Sequence, residues 1–401
     1  MDAAFGRHSL CKGMSFLLSL LSLVDIITGG KKMLAFIRRE IVFVIAAVAA
    51  VITAFFNPPS MAWIEGIDFR TLALLFSLMG VSEGLKSSGF FDAAAGRMMK
   101  SSGSFRTLSF LLVAIVFFSS MFFTNDVSLL MFVPFTMMLF DKEKIEEKYI
   151  IRTVVIETIA ANLGSMTTPV GNPQNLYICS FFNVDAPSFF AAILPYSVVS
   201  ALLIALLCRL FLWRKGSITE DEREVRKLDK ERTLLYLFFL FIAMLSVFHV
   251  IDWKLLFISE LVILIIFDRK ILQRIDYILL LTFVAFFIFS VNLRSIESVR
   301  TFIESPMRNQ PVLSSALVSQ IISNVPAAIL LSPFTDDFRG VLIGTDIGGL
   351  GTPIASLASL ISMKFYFRRK EGRKGSYILL FTVLNFALLA VLFLMSCLML
   401  E

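Results

Sequence analysis

The sequence predicts an all-α polytopic membrane protein, built as an inverted repeat with two re-entrant hairpins and two broken transmembrane helices. The chain of 401 residues is 57% hydrophobic, contains 42 Phe and has only 17% charged residues. This composition is typical of proteins with many membrane spans and excludes an ordinary water-soluble domain. Two apolar runs are also interrupted by similar polar motifs, and paired interruptions of this kind indicate a transporter's binding site.

The two interruptions contain the same residue types in the same order. The first, from Asn162 to Asn175, reads NLGSMTTPVGNPQN, and the second, from Asp346 to Ser359, reads DIGGLGTPIASLAS. The aligned motifs match at Gly164/Gly348, Thr168/Thr352 and Pro169/Pro353. We call them the first and second break, because glycine, proline and small polar residues interrupt a helix there.

A second pair of motifs precedes the breaks. Residues Thr124 to Phe135 read TNDVSLLMFVPF, and residues Ser323 to Phe334 read SNVPAAILLSPF. They match at Asn125/Asn324, Pro134/Pro333 and Phe135/Phe334. The order of tip motif and break motif is the same in both halves, which favours an internal repeat.

Each predicted span is an apolar run near the length of about 20 residues that crosses a bilayer. The spans are Phe36–Phe56, Phe69–Leu85, Arg152–Phe182 (broken), Ala191–Trp213, Thr233–Val250, Lys254–Phe267, Tyr277–Asn292, Phe338–Met363 (broken) and Tyr377–Leu398. Two further stretches, Phe105–Phe140 and Val312–Phe334, carry the tip motifs. Since Lys and Arg cluster in cytoplasmic loops, the first stretch is predicted to enter and leave from the cytoplasm and the second from outside.

These assignments divide the chain into four parts. Residues 1–32 are an N-terminal extension or an interfacial segment, and Met33 is the favoured functional start. The first transmembrane repeat covers 33–216, a cytoplasmic linker and connecting helix cover 217–253, and the second, inverted repeat covers 254–401. We expect a multi-pass protein of the cell membrane, with its N-terminus (from Met33) and its central linker in the cytoplasm.

Irregular backbone at membrane depth is tolerated only where protein buries it or it lines a polar cavity, so tips and breaks are expected to meet. Free N–H groups at half-helix N-termini favour anions there, and free carbonyls at C-termini favour cations. The candidate substrate-binding residues are neutral and polar: Thr124, Asn125, Thr168, Asn172, Asn175, Ser323, Asn324, Thr352 and Ser356.

Carboxylates within the membrane are costly and indicate function. Asp126 at the first tip and Asp346 at the second break are candidates for binding Na⁺ or a proton, and Glu157 precedes the first break. The alternative for both aspartates is structural, and for Asp126 it is capping of the following half-helix. The ion-coupling candidates also include glycines that permit close approach of the backbone: Gly164, Gly171, Gly348 and Gly351.

Several function classes find no support in the sequence. The four Cys show no paired spacing, and His8 and His249 alone do not form a metal site. The chain contains no zinc-protease motif, Walker loop or nucleophile elbow, so we expect neither an enzyme nor a cofactor. The net charge of +6 lies in loops between apolar runs. It therefore indicates orientation in a lipid bilayer and not binding of nucleic acid.

The tip and break motifs resemble those of the ion transporter superfamily from about residue 36 to the end. The closest resemblance is to the citrate-transporter-like permease branch, related to arsenite permeases and divalent anion:sodium symporters. It implies that tips and breaks form the substrate and ion sites, and that one bundle slides against a dimeric scaffold, hence a homodimer. The symporters carry Ser-Asn-Thr at both tips, whereas this chain has Thr124-Asn125-Asp126 and Ser323-Asn324-Val325. The first tip is more similar to arsenite permeases and sodium/proton antiporters.

The function expected from these observations is ion-coupled secondary transport of a small anion, such as a di- or tricarboxylate, with Na⁺ or a proton as coupling ion. The alternative is a sodium/proton antiporter or an arsenite/antimonite export permease, in which the carboxylates themselves carry the chemistry. A membrane-embedded enzyme is disfavoured because no catalytic constellation is visible. A passive channel is disfavoured because two half-sites imply alternating access.

Overall fold

A computed structural model describes residues 36–37, 40–100, 103–213, 228–370 and 372–400. Nearly all of these residues are helical, and none of them forms a strand. The predicted N-terminal extension and most of the predicted linker lie outside the described residues. The fold is therefore the all-helical one that the composition predicts.

From Ile41 onward, the described residues before the linker form nine helices. They are α1 (Ile41–Ala54), α2 (Met61–Glu65), α3 (Phe69–Ser87), α4 (Phe90–Lys100), α5 (Phe105–Ser120), α6 (Asn125–Lys142), α7 (Glu147–Ser165), α8 (Pro173–Phe181) and α9 (Ala186–Phe211).

Ten α-helices follow the linker in the part of the chain that the structure describes. They are α10 (Lys230–Val247), α11 (Trp253–Phe267), α12 (Arg269–Leu272), α13 (Tyr277–Arg294), α14 (Glu297–Asn309), α15 (Pro311–Ile322), α16 (Asn324–Leu331), α17 (Phe338–Gly348), α18 (Leu357–Phe367) and α19 (Lys374–Leu400). In the described part of the chain, Ala186–Phe211, Tyr277–Arg294 and Lys374–Met399 are long and apolar enough to cross a membrane.

Side-chain caps fix where many of these helices begin. An oxygen of the residue before the helix accepts a hydrogen bond from a backbone N–H of the first turn, which satisfies one of the four N–H groups without a partner inside the helix. The capping residues are Asp68, Ser104, Thr124, Asn172, Asp185, Asp229, Asp252, Asp276 and Asp337. Loop polarity therefore sets helix boundaries in an otherwise apolar chain.

Both tip motifs lie at the turn of a helix pair, and both break motifs interrupt a helix. The pairs are α5–α6 and α15–α16, and the interruptions separate α7 from α8 and α17 from α18. The first broken span begins at Glu147, earlier than the predicted Arg152, and the second ends at Phe367, beyond the predicted Met363. Re-entry of the pairs into the membrane and the inverted relation of the halves stay predictions.

The sequence analysis did not assign helices α2, α4, α12 and α14. Among them, α14 (Glu297–Asn309) lies between the predicted span Tyr277–Asn292 and the stretch Val312–Phe334. Its polar composition hides it from a search for apolar spans, because a surface helix needs only one apolar face. The helix buries Met307, which joins the main hydrophobic core.

The broken helices lie at the centre of the molecule. Helix α7 packs against α5, α6 and α9, while α17 packs against α15. On another side, α1 packs against α13, and α3 packs against α10 and α11. Asn292 ties α13 to α1, since its Nδ2 donates to Thr53 Oγ1 at 3.1 Å. Tips and breaks therefore meet inside the fold, beside the α1–α13 pair.

Candidate functional site

A cavity of about 360 Å³ lies where the two tips and the two breaks meet. We call it the tip cavity. Among the residues that line it, Asn125 and Asn324 come from the tips, and Gln174 and Ser356 come from the breaks. The opposite wall is formed by residues of α1 and by the first half of α13. A volume of this size falls within the range of about 300–1,000 Å³ for small-molecule sites.

The four helices that follow the two tips and the two breaks begin at this cavity. Lining residues include Asn125, Pro173, Asn324 and Leu357, which are the first residues of α6, α8, α16 and α18. The N-terminus of a helix carries a partial positive charge and N–H groups without helical partners. Four such ends around one cavity create a positive potential that suits negatively charged or electron-rich oxygen atoms.

The first tip is bonded to the first break through Asn125. Its backbone N–H donates to the Gly171 carbonyl at 3.1 Å. Its side-chain Nδ2 donates to Asn162 Oδ1 at 3.2 Å, and its Oδ1 accepts from the N–H of Asp126 at 2.9 Å. Asn125 is 5% exposed, so these bonds form in a largely dry environment.

The second tip makes the corresponding contacts. The backbone N–H of Asn324 donates to the Ala355 carbonyl at 2.9 Å, and its Oδ1 accepts from the N–H of Val325 at 3.0 Å. Ala355 aligns with Gly171 in the break motifs. Ser323 holds a left-handed backbone conformation with φ of 75°, and its Oγ also donates to Ala355 at 3.3 Å.

The two threonines of the breaks that are predicted to bind substrate form hydrogen bonds between the breaks and the helix pairs. Thr352 Oγ1 donates to the Gln320 carbonyl at 3.0 Å, and Thr168 Oγ1 donates to the Met121 carbonyl. Neither threonine lines the tip cavity, and neither does Thr124, whose hydroxyl caps α6. The structure gives these three hydroxyls a positioning role, and their contact with a substrate stays a prediction.

The two breaks exchange hydrogen bonds in a crossed pattern. Asn162 of the first motif accepts from Ser356 Oγ at 2.9 Å and donates to Ser359 Oγ at 3.2 Å. Asp346, which aligns with Asn162, accepts at Oδ1 from Asn172 Nδ2 at 3.0 Å and from Gln174 Nε2 at 3.3 Å. Asn172 in turn aligns with Ser356. Each motif thus supplies the partner that the other motif needs.

Asn175 remains within the first break. Its Nδ2 donates to the Met166 carbonyl at 3.1 Å, and its backbone N–H donates to Asn172 Oδ1 at 2.9 Å. These bonds hold the loop between α7 and α8 in shape. Asn175 does not line the tip cavity, so a direct role in substrate binding stays a prediction.

The three candidate carboxylates occupy different environments. Asp126 lines the tip cavity, and its buried Oδ1 has no hydrogen-bond partner among the described residues. Thr124 caps α6, which argues against the capping alternative for Asp126. Asp346 is 3% exposed, and its Oδ2 has no partner in the described part of the chain. An unpaired buried charge is costly, and binding of a proton or a cation at either group stays a prediction.

Glu157 lies away from the tip cavity. It is fully buried on α7, and its Oε1 accepts from Thr136 Oγ1 on α6 at 2.5 Å. It is not among the residues that line the cavity. Its predicted part in ion coupling therefore has no contact with the tips to support it, and it stays a prediction.

The glycines of the two break motifs allow neighbouring helices to pack closely. A Cβ on Gly164 would lie 2.2 Å from the Phe117 carbonyl oxygen, and a Cβ on Gly348 would lie 2.9 Å from Ala316 Cα. These neighbours are on α5 and α15, the first helices of the two pairs. Gly171 and Gly351 are similarly close to neighbouring atoms. The glycines let the broken helices approach the helix pairs, and their contact with an ion stays a prediction.

The sequence analysis missed four residues at the site. Gln174 and Gln320 bond to the breaks, and Asp276 and Lys364 line the cavity. Gln174 stood inside the first break motif and could have been found there. The other three carry no sequence signal, because only the packing of distant helices brings them to the site.

The fold is all-helical, with three helices long and apolar enough to cross a membrane in the described part of the chain, and comparison with known proteins identifies a family of membrane transporters. The family model described as "Citrate transporter" matches residues 23–341, more than three quarters of the sequence, and the chain belongs to this family. It is a membrane protein of a transporter family, and several of its relatives are named as transporters.

Three relatives show the range of the family. An uncharacterized transporter of Methanocaldococcus jannaschii is 29% identical over 74% of this chain and 81% of its own length. The inner membrane protein YbiR of Escherichia coli is 29% identical over 78% of this chain and 84% of its own length. The silicon efflux transporter LSI3 of Oryza sativa is 29% identical over 39% of this chain and 32% of its own length.

Proposed function

We propose that this protein is an ion-coupled secondary active transporter that moves a small anion across the membrane by alternating access. The observation that carries the proposal is the crossed pattern of hydrogen bonds between the breaks. Asn162 bonds to Ser356, and Asp346 bonds to Asn172. Two halves that complete each other's polar groups beside one cavity form the arrangement expected of a transport site between repeats.

The chemistry of the tip cavity supports an anionic solute. Four helix N-termini face it, and the tip residues Asn125 and Asn324 add amide groups. Lys364, also in the lining, adds a positive side chain. These groups offer hydrogen-bond donors to the oxygen atoms of a di- or tricarboxylate.

Asp126 is the coupling group in this proposal. It lies in the first turn of α6, beside the solute, and its Oδ1 is buried without a partner in the described part of the chain. A proton or Na⁺ bound there removes the negative charge that repels an anion. Solute and coupling ion then bind together, which is the requirement for symport.

The predicted orientation makes this conformation an inward-facing one. Glu40, Asp276 and Lys364 line the tip cavity, and each lies in or beside a loop predicted to be cytoplasmic. We therefore expect the site to be reached from the cytoplasm in this state. The outward-facing state requires the tips and breaks to move relative to α1 and α13.

A second candidate is cation exchange or export of a metalloid hydroxide. It is favoured by the charge of the cavity lining, in which Glu40, Asp126 and Asp276 outnumber Lys364. The similarity to a silicon efflux transporter points in the same direction. In this case the carboxylates form the primary site, and a carboxylate substrate is repelled.

Replacement of the proposed coupling group tests the proposal. In proteoliposomes, Asp126→Asn is expected to abolish uptake driven by a Na⁺ or proton gradient and to leave solute counterflow intact. Asp185→Asn is the matched control, because Asp185 is an exposed capping residue of α9 and Asn caps equally well. Full gradient-driven uptake by the Asp126 variant contradicts the assignment.

A further inference from the structure

A second cavity lies at the other ends of the helices that form the tip cavity. Its volume is about 430 Å³, and we call it the opposite cavity. Three helices line both cavities. Helix α13 contributes Phe283 to the tip cavity and Phe287 to the opposite one, and α8 contributes Gln174 and Tyr177 in the same way. Helix α16 contributes Pro326 to the tip cavity and Ile329 to the opposite one.

The material between the two cavities is thin and aromatic. The rings of Phe283 and Phe287 contact each other edge to face, with centroids 6.1 Å apart. Tyr177 of α8 packs on Phe287 with a centroid distance of 5.6 Å. Their exposed fractions are 1% for Phe283, 3% for Phe287 and 3% for Tyr177. We call these three residues the aromatic septum.

We propose that the aromatic septum is the permeation barrier of this transporter, and that the two cavities are the two halves of one solute pathway. The proposal rests on the transport function proposed above. The rings of Phe283, Phe287 and Tyr177 pack closely and exclude water, and apolar constrictions of this kind stop permeation by dewetting. A solute in the tip cavity therefore reaches the opposite cavity only when the helices rearrange.

The septum joins two sets of helices that are held differently. Asn292 fixes α13 to α1 through Thr53 Oγ1 at 3.1 Å, and Asn57 Nδ2 donates to Asn292 Oδ1 at 3.1 Å. The polar contact from this half of α13 to α16 is the bond from Ser290 Oγ to the Ile329 carbonyl at 3.1 Å. Phe283 and Phe287 thus belong to the α1–α13 side, and Tyr177 slides against them when α8 moves.

A leak assay tests the barrier without knowledge of the solute. Vesicles that contain purified protein and a pH-sensitive dye report proton leak under an imposed potential. Phe287→Ala and Phe283→Ala are expected to raise the leak at least about tenfold, which corresponds to a barrier lowered by about 1.4 kcal/mol. Phe289→Ala is the matched control, because Phe289 lies on the same helix, packs on the side of α1 and lines neither cavity.

Both septum variants are first shown to be folded by circular dichroism and gel filtration. The proposal is overturned if their proton leak equals that of the wild type. It is also overturned if Phe289→Ala leaks as strongly as they do. Solute counterflow is measured on the same vesicles. Its absence in the wild type counts against the transport function, whereas the leak reports on the septum alone.

A labelling experiment keeps the proposal testable if the alanine variants fail to fold. Cysteines are placed at Thr282, in the tip cavity, and at Ser290, in the opposite cavity, in a background without the four native Cys. A membrane-impermeant thiol reagent is expected to reach each position from one side only, and from opposite sides. Equal labelling of either cysteine from both sides contradicts a barrier between them.

Discussion

Replacement of Asn162 by alanine tests the contact between the two halves most sharply. This side chain accepts from Asn125 Nδ2 at 3.2 Å and from Ser356 Oγ at 2.9 Å, and it donates to Ser359 Oγ at 3.2 Å. It therefore joins the first tip, the first break and the second break. Each hydrogen bond contributes about 0.5–1.5 kcal/mol net, so loss of three costs about 3 kcal/mol.

Asn385→Ala is the matched control. Asn385 is also buried, with an exposed fraction of 0%, but its Nδ2 bonds only within its own helix, to the Phe381 carbonyl at 2.8 Å. Loss of that bond costs about 1 kcal/mol. We therefore expect the two variants to differ by about 2 kcal/mol in the free energy of unfolding, although both remove one buried amide.

The assay is titration of detergent-solubilised protein with SDS, followed by circular dichroism, with solute exchange measured in proteoliposomes. We expect Asn162→Ala to unfold at the lower SDS fraction and to lose exchange. The control is expected to keep exchange. Equal destabilisation of both variants, with exchange retained by Asn162→Ala, would refute the reasoning that Asn162 joins the halves at the site.

Three further predictions concern the surroundings of the site. Gly351→Ala is expected to destabilise the protein by about 1–2 kcal/mol, because φ is +99° and a Cβ would lie 2.2 Å from Gln320 Oε1. Gly103→Ala, with open space around it, is the control in the same SDS titration. Arg369→Ala is expected to lower the free energy of unfolding by about 1 kcal/mol, because the bidentate bonds to Asp141 at 2.5 and 2.7 Å join α6 to the end of α18 while solvent screens the half-exposed carboxylate. A double-mutant cycle with Asp141→Ala measures the coupling between the two side chains, and additive effects of the two substitutions would contradict this prediction. Burial and the neighbouring Arg70 lower the pKa of His249 in the loop before α11, so the unfolded chain binds a proton more readily and stability falls as the pH drops below about 6.5. Thermal melts at pH 7.5 and 5 should show a smaller fall in melting temperature for His249→Asn than for the wild type, and an equal fall would exclude His249 as the cause.

The sequence predicted those parts of the site that depend on backbone chemistry. Clusters of glycine, proline and small polar residues disfavour a continuous helix, so both breaks and both tips could be located from the motifs alone. Composition likewise predicted the all-helical membrane fold. Helix α14 was missed because its polar sequence lacks the apolar signal of a membrane span.

Partners across the site were not predictable, because they depend on how distant segments pack. The alignment paired Asn162 with Asp346, but it did not indicate that each would bond to the opposite break. Glu157 illustrates the reverse case. Its position near the first break suggested that it lines the cavity, but its side chain accepts a hydrogen bond from Thr136 instead. Sequence distance along a helix does not fix the direction of a side chain relative to a cavity.

Uptake of labelled solutes into proteoliposomes tests the central claim, that the tips and breaks form one transport site. A panel of di- and tricarboxylates is applied with Na⁺ and proton gradients imposed separately, to the wild type and to Asn125→Ala, Asn324→Ala and the control Asn385→Ala. The account predicts uptake driven by one of the gradients, its loss in both tip variants and its retention in the control. Undiminished uptake by both tip variants would contradict it.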